Sequence, residues 1–171
     1  MNSELLANPD EPVWWVVHTR PRCEKKMKEW FAVKQFEHFL PVRPKQRIYA
    51  SKKVTFEHPL FPGYAFGSFP LRARLNVLGS GHAAGVIEVV DQSQLLKELS
   101  TVRKALEAGA PLEDCPYVAV GQRVRITSGA CRGLEGRVER FAGKTRFLLS
   151  VELLQRSVAM EIDAGLLELA A

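Results

Sequence analysis

The period of apolar and polar positions changes along the chain, and each change marks an element. "VWWVVHTR" (13–20) is β-branched and aromatic and reads as a buried strand ended by Pro21. In "RCEKKMKEWFAVKQF" (22–36), Cys23, Met27, Trp30 and Phe31 share one helical face and lysines occupy the rest, which predicts an amphipathic helix. "KQRIYA" (45–50) and "KKVTFE" (52–57) flank a turn near Ser51 and predict a basic hairpin. "GYAFGSF" (63–69) is a further strand, with Tyr64 and Phe66 on one face and Ala65 on the other. Asp91 or Ser93 can cap a helix whose core stripe is Leu95, Leu99, Val102 and Leu106. Five short strand candidates then follow with no helix between them: "VGQRVRIT", "LEGRVERFA", "TRFLLSVELL", "SVAMEID" and "GLLELA".

This order divides the chain. Residues 1–12 read as a flexible tail, 13–106 as a sheet with two helices, and 107–116 ("EAGAPLEDCP") as a linker. Residues 117–171 carry evenly spaced short strands with glycine turns, the pattern of a small barrel that removes exposed sheet edges. The fold class is therefore α+β followed by a small all-β domain.

Charge sharpens the picture. Between His18 and Lys53 there are eleven Lys and Arg against three acids, a local net charge of +8 in a chain whose total is +5. Such asymmetry suits a polyanionic partner. No apolar run approaches the roughly 20 residues a bilayer span needs, and "MNSELLANPDEP" lacks the basic and apolar regions of a signal peptide. No membrane association, a cytoplasmic location and a monomer are expected.

Candidate chemistry is sparse. Cys23, Cys115 and Cys131 are odd in number, far apart and without metal-ligand spacing, so three plain thiols are expected. Gly79-x-Gly81-x-x-Ala84 matches a loose dinucleotide fingerprint, but the β-rich "VIEVV" follows where a helix should open, so it reads as a loop before a strand. The four histidines form no zinc motif, and neither a nucleophile elbow nor a P-loop is present. The chain is expected to be no enzyme and to need no cofactor and no metal.

"HPLFPGYAFGSFP" (58–70) sets four rings among prolines and glycines, more than one sheet face absorbs. Further on, "VGQRVRITSGACRGLEGRVER" (120–140) looks like a KOW motif, with Val124 and Ile126 alternating inward and Gly129, Gly133 and Gly136 at the turns. A chain that runs from "WWVVHTRPRCEKKMKEW" through "PLFPGYAF" to a KOW barrel resembles the NusG family of transcription elongation and antitermination factors, from Val13 onward.

That resemblance implies an NGN domain that binds the clamp helices of the largest RNA polymerase subunit through an apolar patch. The matching positions are His18, Phe61, Pro62, Tyr64 and Phe66. Phe69 is expected in the core, Phe61 and Tyr64 at the interface, and Phe66 in either place. Upstream or non-template DNA would be met by Arg20, Arg22, Lys25 and Lys34, and by Arg72 and Arg74 before a loop facing the gate side of the channel. In relatives the KOW domain binds a small-subunit ribosomal protein or the termination factor Rho. The corresponding loop here is "VELLQRSVAM" (151–160), with Leu153 and Leu154 as apolar contacts. It lacks the phenylalanine common in the housekeeping form, which weighs against Rho, and with "PLFP" it looks closer to specialised paralogues such as RfaH. The rival reading is a ribosomal-protein-like KOW protein that binds RNA.

Overall fold

The strand predicted at residue 13 is the axis of the first half of the molecule. The computed structural model describes residues 3–117 and 121–170, and the chain forms two compact units, 1–92 and 93–171. The first contains α1 (Ser3–Ala7), β1 (Val13–Thr19), α2 (Glu24–Val33), β2 (Glu37–Phe39), β3 (Val42–Tyr49), β4 (Lys52–Pro59), β5 (Tyr64–Phe69), α3 (Arg74–Leu78) and β6 (Ala83–Glu88). Four of these strands make an antiparallel sheet in the order β2-β5-β1-β6, while β3 and β4 form a separate two-stranded ribbon.

Register decides which side chains meet. Val13 lies opposite Phe69, Trp15 opposite Gly67 and Val17 opposite Ala65. This face packs on Met27 and Phe31 of α2 and forms the core. Trp15 stacks on Phe69 with centroids 5.6 Å apart, and its indole N–H donates to the Phe69 carbonyl at 2.9 Å. Each large ring buried this way contributes roughly 1.5–3 kcal/mol. Gly67 is glycine because Phe31 lies directly over it: a Cβ there would come within 2.7 Å of Phe31 Cζ. Where β6 ends, the Gln92 side chain takes its place, accepting from Trp14 N–H and donating to the Trp14 carbonyl, both at 2.8 Å.

The tail is not loose. Ser3–Ala7 form a helical turn that puts Leu5 into the core, because one apolar side chain on a short helix gains burial the surrounding polar residues cannot signal. Met1 and Asn2 lie outside the described residues.

The second unit contains α4 (Gln92–Glu107, of which Ser93 onward belongs here), β7 (Glu113–Cys115), β8 (Gln122–Ile126), β9 (Glu135–Phe141), β10 (Lys144–Val151), β11 (Arg156–Glu161) and β12 (Leu167–Leu169). On α4, Leu95, Leu99 and Val102 are buried as expected, with Ala105 added. The strands pair antiparallel in the order β12-β8-β9-β10-β11-β7. All five predicted strands are present, and Val124, Ile126, Phe147 and Val158 are buried. Val120, where the first was expected to begin, lies outside the described residues. β7 is a correction to the linker reading. Glu113–Cys115 pairs with β11 at the end of the sheet, where acidic side chains are tolerated and the strand carries no apolar alternation to announce it. The units part at Gln92, whereas the sequence placed the division at 107–116. Gly136 admits β9 to the sheet: a Cβ would stand 2.4 Å from the Leu148 carbonyl oxygen.

Candidate macromolecule-binding surface

The expected aromatic patch is partly sealed. Phe61 and Phe66 are 3% and 0% exposed and meet edge to face, with centroids 6.4 Å apart. The expectation that Phe61 lies bare is therefore corrected. Its turn folds the ring back onto β5, and in Phe66 the same strand supplies an apolar partner. Phe69 is in the core, as expected.

What stays accessible is a smaller step. His18 faces Tyr64 across β1 and β5, and the rings stack with centroids 5.2 Å apart. His18 and Pro62 are exposed and Tyr64 is half-buried. Three features hold this step in place. Phe61–Tyr64 is a turn closed by Tyr64 N–H donating to the Phe61 carbonyl at 3.1 Å, with Pro62 second and Gly63 third at φ +88°. Proline then a left-handed glycine is the type II arrangement, and it leaves Pro62 at the apex. The Gly63 N–H donates to the Glu24 carboxylate at 2.9 Å, and the Gly63 carbonyl accepts from Thr19 N–H at 2.8 Å, so the turn is tied to both α2 and β1. Finally, β6 carries a register shift opposite His18 and Thr19. Such bulges re-aim side chains at sheet ends. Thr19 is 3% exposed, and its hydroxyl has no hydrogen-bond partner among the described residues.

The predicted cations separate into two groups. Arg20 and Arg22 follow β1 directly, in a turn closed by Cys23 N–H donating to the Arg20 carbonyl, with Arg22 in the left-handed region at φ 61°. Lys25 adjoins Glu24 at the start of α2. All three are exposed and lie at the Tyr64 end of the sheet. Lys34 is at the far end of α2, about 15 Å along the helix, with its ammonium 5.6 Å from the Trp30 ring centroid. Arg72 follows the Phe69 end of β5, about 17 Å from Tyr64 along the strand, and pairs with Asp10 at 2.8 Å. Arg74 opens α3 and is half-buried. The structure therefore joins Arg20, Arg22 and Lys25 to the aromatic step and leaves Lys34, Arg72 and Arg74 apart from it. Sequence reading missed Glu24 as the clamp on Gly63. A lone acid in the first turn of a lysine-rich helix was the available signal.

In the second unit, Leu153 and Leu154 lie in a three-residue turn, Glu152–Leu154, that ends at Gln155 with φ 52°. Leu154 is 8% exposed and belongs to the core, whereas Leu153 is 44% exposed. The expected apolar pair is thus a single side chain. The turn is held by α4: Glu152 N–H donates to the Glu98 carboxylate at 2.7 Å, and Gln94 donates to the Glu152 carboxylate. The thiol chemistry of the chain is quiet. The three cysteines are free and half-buried. Burial pushes the Cys115 and Cys131 thiols up, partly offset at Cys115 by Arg146, which leaves them poor nucleophiles near neutral pH.

A pinned turn that presents proline and a stacked His–Tyr pair, flanked by three cations, is suited to docking a macromolecule. No described helix is long and apolar enough to cross a membrane. No curated protein matches the chain. A family model described as "Transcription termination factor nusG" matches residues 12–112, which take in β1, the Phe61–Tyr64 turn and α4. That span is more than half of the 171 residues, and the chain belongs to the NusG family.

Proposed function

We propose that the protein acts in transcription by binding alone, holding RNA polymerase through the exposed end of the β1–β5 sheet. His18, Pro62 and Tyr64 would contact the clamp helices of the largest subunit, with buried Phe61 and Phe66 as the rigid floor beneath them. Arg20, Arg22 and Lys25 would meet upstream or non-template DNA by phosphate contacts, which add affinity without sequence preference. Contact by Lys34, Arg72 and Arg74 would require the nucleic acid to track along the unit. A binder changes elongation only through its difference in affinity between polymerase states, and a coupling of about 1–3 kcal/mol alters their populations several-fold. The second unit would be a KOW domain that recruits a small-subunit ribosomal protein or Rho through the turn carrying Leu153. The protein would work in the cytoplasm.

The observation that carries this reading is the His18–Tyr64 stack above a clamped type II turn. The RNA-binding rival would draw on the second unit's cations, of which Arg125 and Arg146 are engaged by acids at 2.7 and 2.6 Å, so it would rest on exposed Arg132, Arg140 and Arg156. Retention of core RNA polymerase on the tagged full chain tests the proposal. His18→Ala with Tyr64→Ala should cut retention at least about tenfold, the loss of one aromatic anchor, with the melting curve unchanged. Full retention by that variant would remove this surface from the proposal.

A further inference from the structure

The segment ahead of β1 lies outside the docking surface. Residues 3–12 hold three acids, Glu4, Asp10 and Glu11, and no Lys or Arg, in front of a stretch, 18–53, that carries +8. An apolar side chain fixes the segment to the unit. Leu5 of α1 enters the cluster that contains Phe69 and Ala73, with partly buried Leu71 packed against it. Asn8–Glu11 then closes as a turn. Glu11 N–H donates to the Asn8 carbonyl at 3.3 Å, and the Asn8 amide donates to the Glu11 carboxylate at 2.8 Å. Pro9 and Asp10 take the two middle positions, which puts the Asp10 side chain at the apex.

That apex meets Arg72, which lies in the three-residue turn Leu71–Ala73. The Arg72 guanidinium pairs with the Asp10 carboxylate at 2.8 Å, and the Arg72 N–H donates to the Pro9 carbonyl at 3.4 Å. The segment is thus fastened to residues 69–73 twice, by an apolar anchor and by charge. The two fastenings differ in strength. Leu5 is buried, whereas the Asp10 and Arg72 side chains are 76% and 70% exposed, so solvent and salt screen the pair and it opens at little cost. A guanidinium offers the same planar set of donors to a carboxylate and to a phosphate. Asp10 therefore takes a donor of Arg72 that a phosphate would use.

We propose that residues 8–12 form an autoinhibitory strap, in which Asp10 occupies Arg72 and DNA reaches that end of the unit only by displacing it. The inference rests on the reading that DNA meets the cations of the first unit, and it makes one of those contacts conditional. Leu5 tethers the strap, so the carboxylate stays at a high effective concentration beside Arg72 even while the pair is open. A small anion exchanges one contact for another and gains little. DNA already held by Arg20, Arg22 and Lys25 brings further phosphates to Arg72, about 17 Å away along β5, without a second association step. The strap thus admits a long polyanion and turns away short ones.

Fluorescence anisotropy of the full chain with a labelled DNA duplex of about twenty base pairs tests it. Asp10→Asn keeps the size of the side chain and removes its charge. It should bind the duplex more tightly than wild type, and the added phosphate contact should steepen the slope of log affinity against log salt by about 0.9. Its advantage should therefore grow about threefold between roughly 200 and 50 mM salt. Glu11→Gln removes an equal charge one residue further on and should gain less. Arg72→Gln should lose more affinity in the Asp10→Asn chain than in wild type, because there the guanidinium is released. Arg20→Gln with Arg22→Gln should weaken binding in both backgrounds, which separates the strap from the reading beneath it. If that double variant weakens binding while Asp10→Asn changes neither affinity nor slope, the DNA reading stands and the strap is wrong. Equal gains from Asp10→Asn and Glu11→Gln, or equal losses from Arg72→Gln in the two chains, would also overturn the strap. A duplex that no form of the chain binds would overturn both.

Discussion

The two units treat positive charge differently. In the second, four cations are matched across strands, while Arg132, Arg140 and Arg156 are exposed without an acid partner among the described residues. Arg125 of β8 lies between Glu135 of β9 at 2.7 Å and Glu168 of β12 at 3.4 Å. Arg123 also reaches Glu135, Arg146 of β10 meets Glu139, and Lys144 meets Glu161. Each carboxylate is placed by register opposite or beside its cation. The hydrogen bond from Arg125 holds the Glu135 carboxyl below the ordinary range, helped by the charges of Arg125, Arg123 and Lys97. In the first unit, Arg20, Arg22, Lys25, Lys45, Arg47 and Lys52 have no acid partner among the described residues, whereas Arg72 meets Asp10. Matched charge serves a sheet's cohesion, while unmatched charge stays in solvent, open to an anion from outside. The local +8 of residues 18–53 is therefore a property of a surface as well as of a composition.

Four substitutions would break or sharpen this contrast. The largest effect should come from Gly136→Ala. It drives a methyl into the Leu148 carbonyl oxygen, pushes β9 away from β10 and so separates Glu139 from Arg146. A loss of about 3 kcal/mol in denaturant unfolding is expected, the upper end for overpacking. Thr19→Val should act the other way in the first unit. It removes a buried hydroxyl that has no partner among the described residues, and a gain of about 1 kcal/mol is expected. Glu135→Gln should cost less than Gly136→Ala and should reveal itself through pH. A carboxyl held below its ordinary value stabilises the fold above that value, and the benefit is lost as pH falls through the depressed one. The difference in unfolding between wild type and variant should therefore be full near neutrality and close on acidification below roughly pH 4.3. It should also shrink with salt, because the pair is accessible to ions. Lys52→Gln should change stability least, within about 0.5 kcal/mol. A clear loss there would mean that the ribbon's charge is structural and that the contrast is wrong.

Much of the fold could be read from periodicity because long elements carry their own signal. β1, α2, the basic ribbon, α4 and the five strands of the second unit fall where the apolar spacing puts them. What escaped was short or polar. α1 contributes one buried side chain, Leu5, and β7 has acids in two of its three positions. Which residues gather at the candidate site was legible by position, and their exposure was not. Phe61 and Phe66 occur where the family resemblance places a patch, but alternation along a strand does not say what covers a given face, and both are buried. For that reason Phe61→Ala would be a poor test of docking. Emptying a buried ring site costs about 3–5 kcal/mol, and lost binding would not be separable from lost structure. The division of the ribbon's lysines between its two faces was hidden for a different reason. Lys52 and Lys53 are neighbours in sequence and point to opposite faces, and only the register Tyr49–Lys52 and Ile48–Lys53 separates them.

The central claim is that the exposed step at Pro62 and Tyr64 docks on RNA polymerase while the second unit's matched-charge face does not. A photo-crosslinking residue placed at Pro62 in the full chain, irradiated in a transcription complex, tests this directly when the same probe at Arg123 serves as the comparison. The account requires crosslinks from position 62 to the largest polymerase subunit, lost when the His18→Ala and Tyr64→Ala changes are added, and few from position 123. Crosslinks from 123 alone, or none from 62 in a complex that retains the protein, would contradict it.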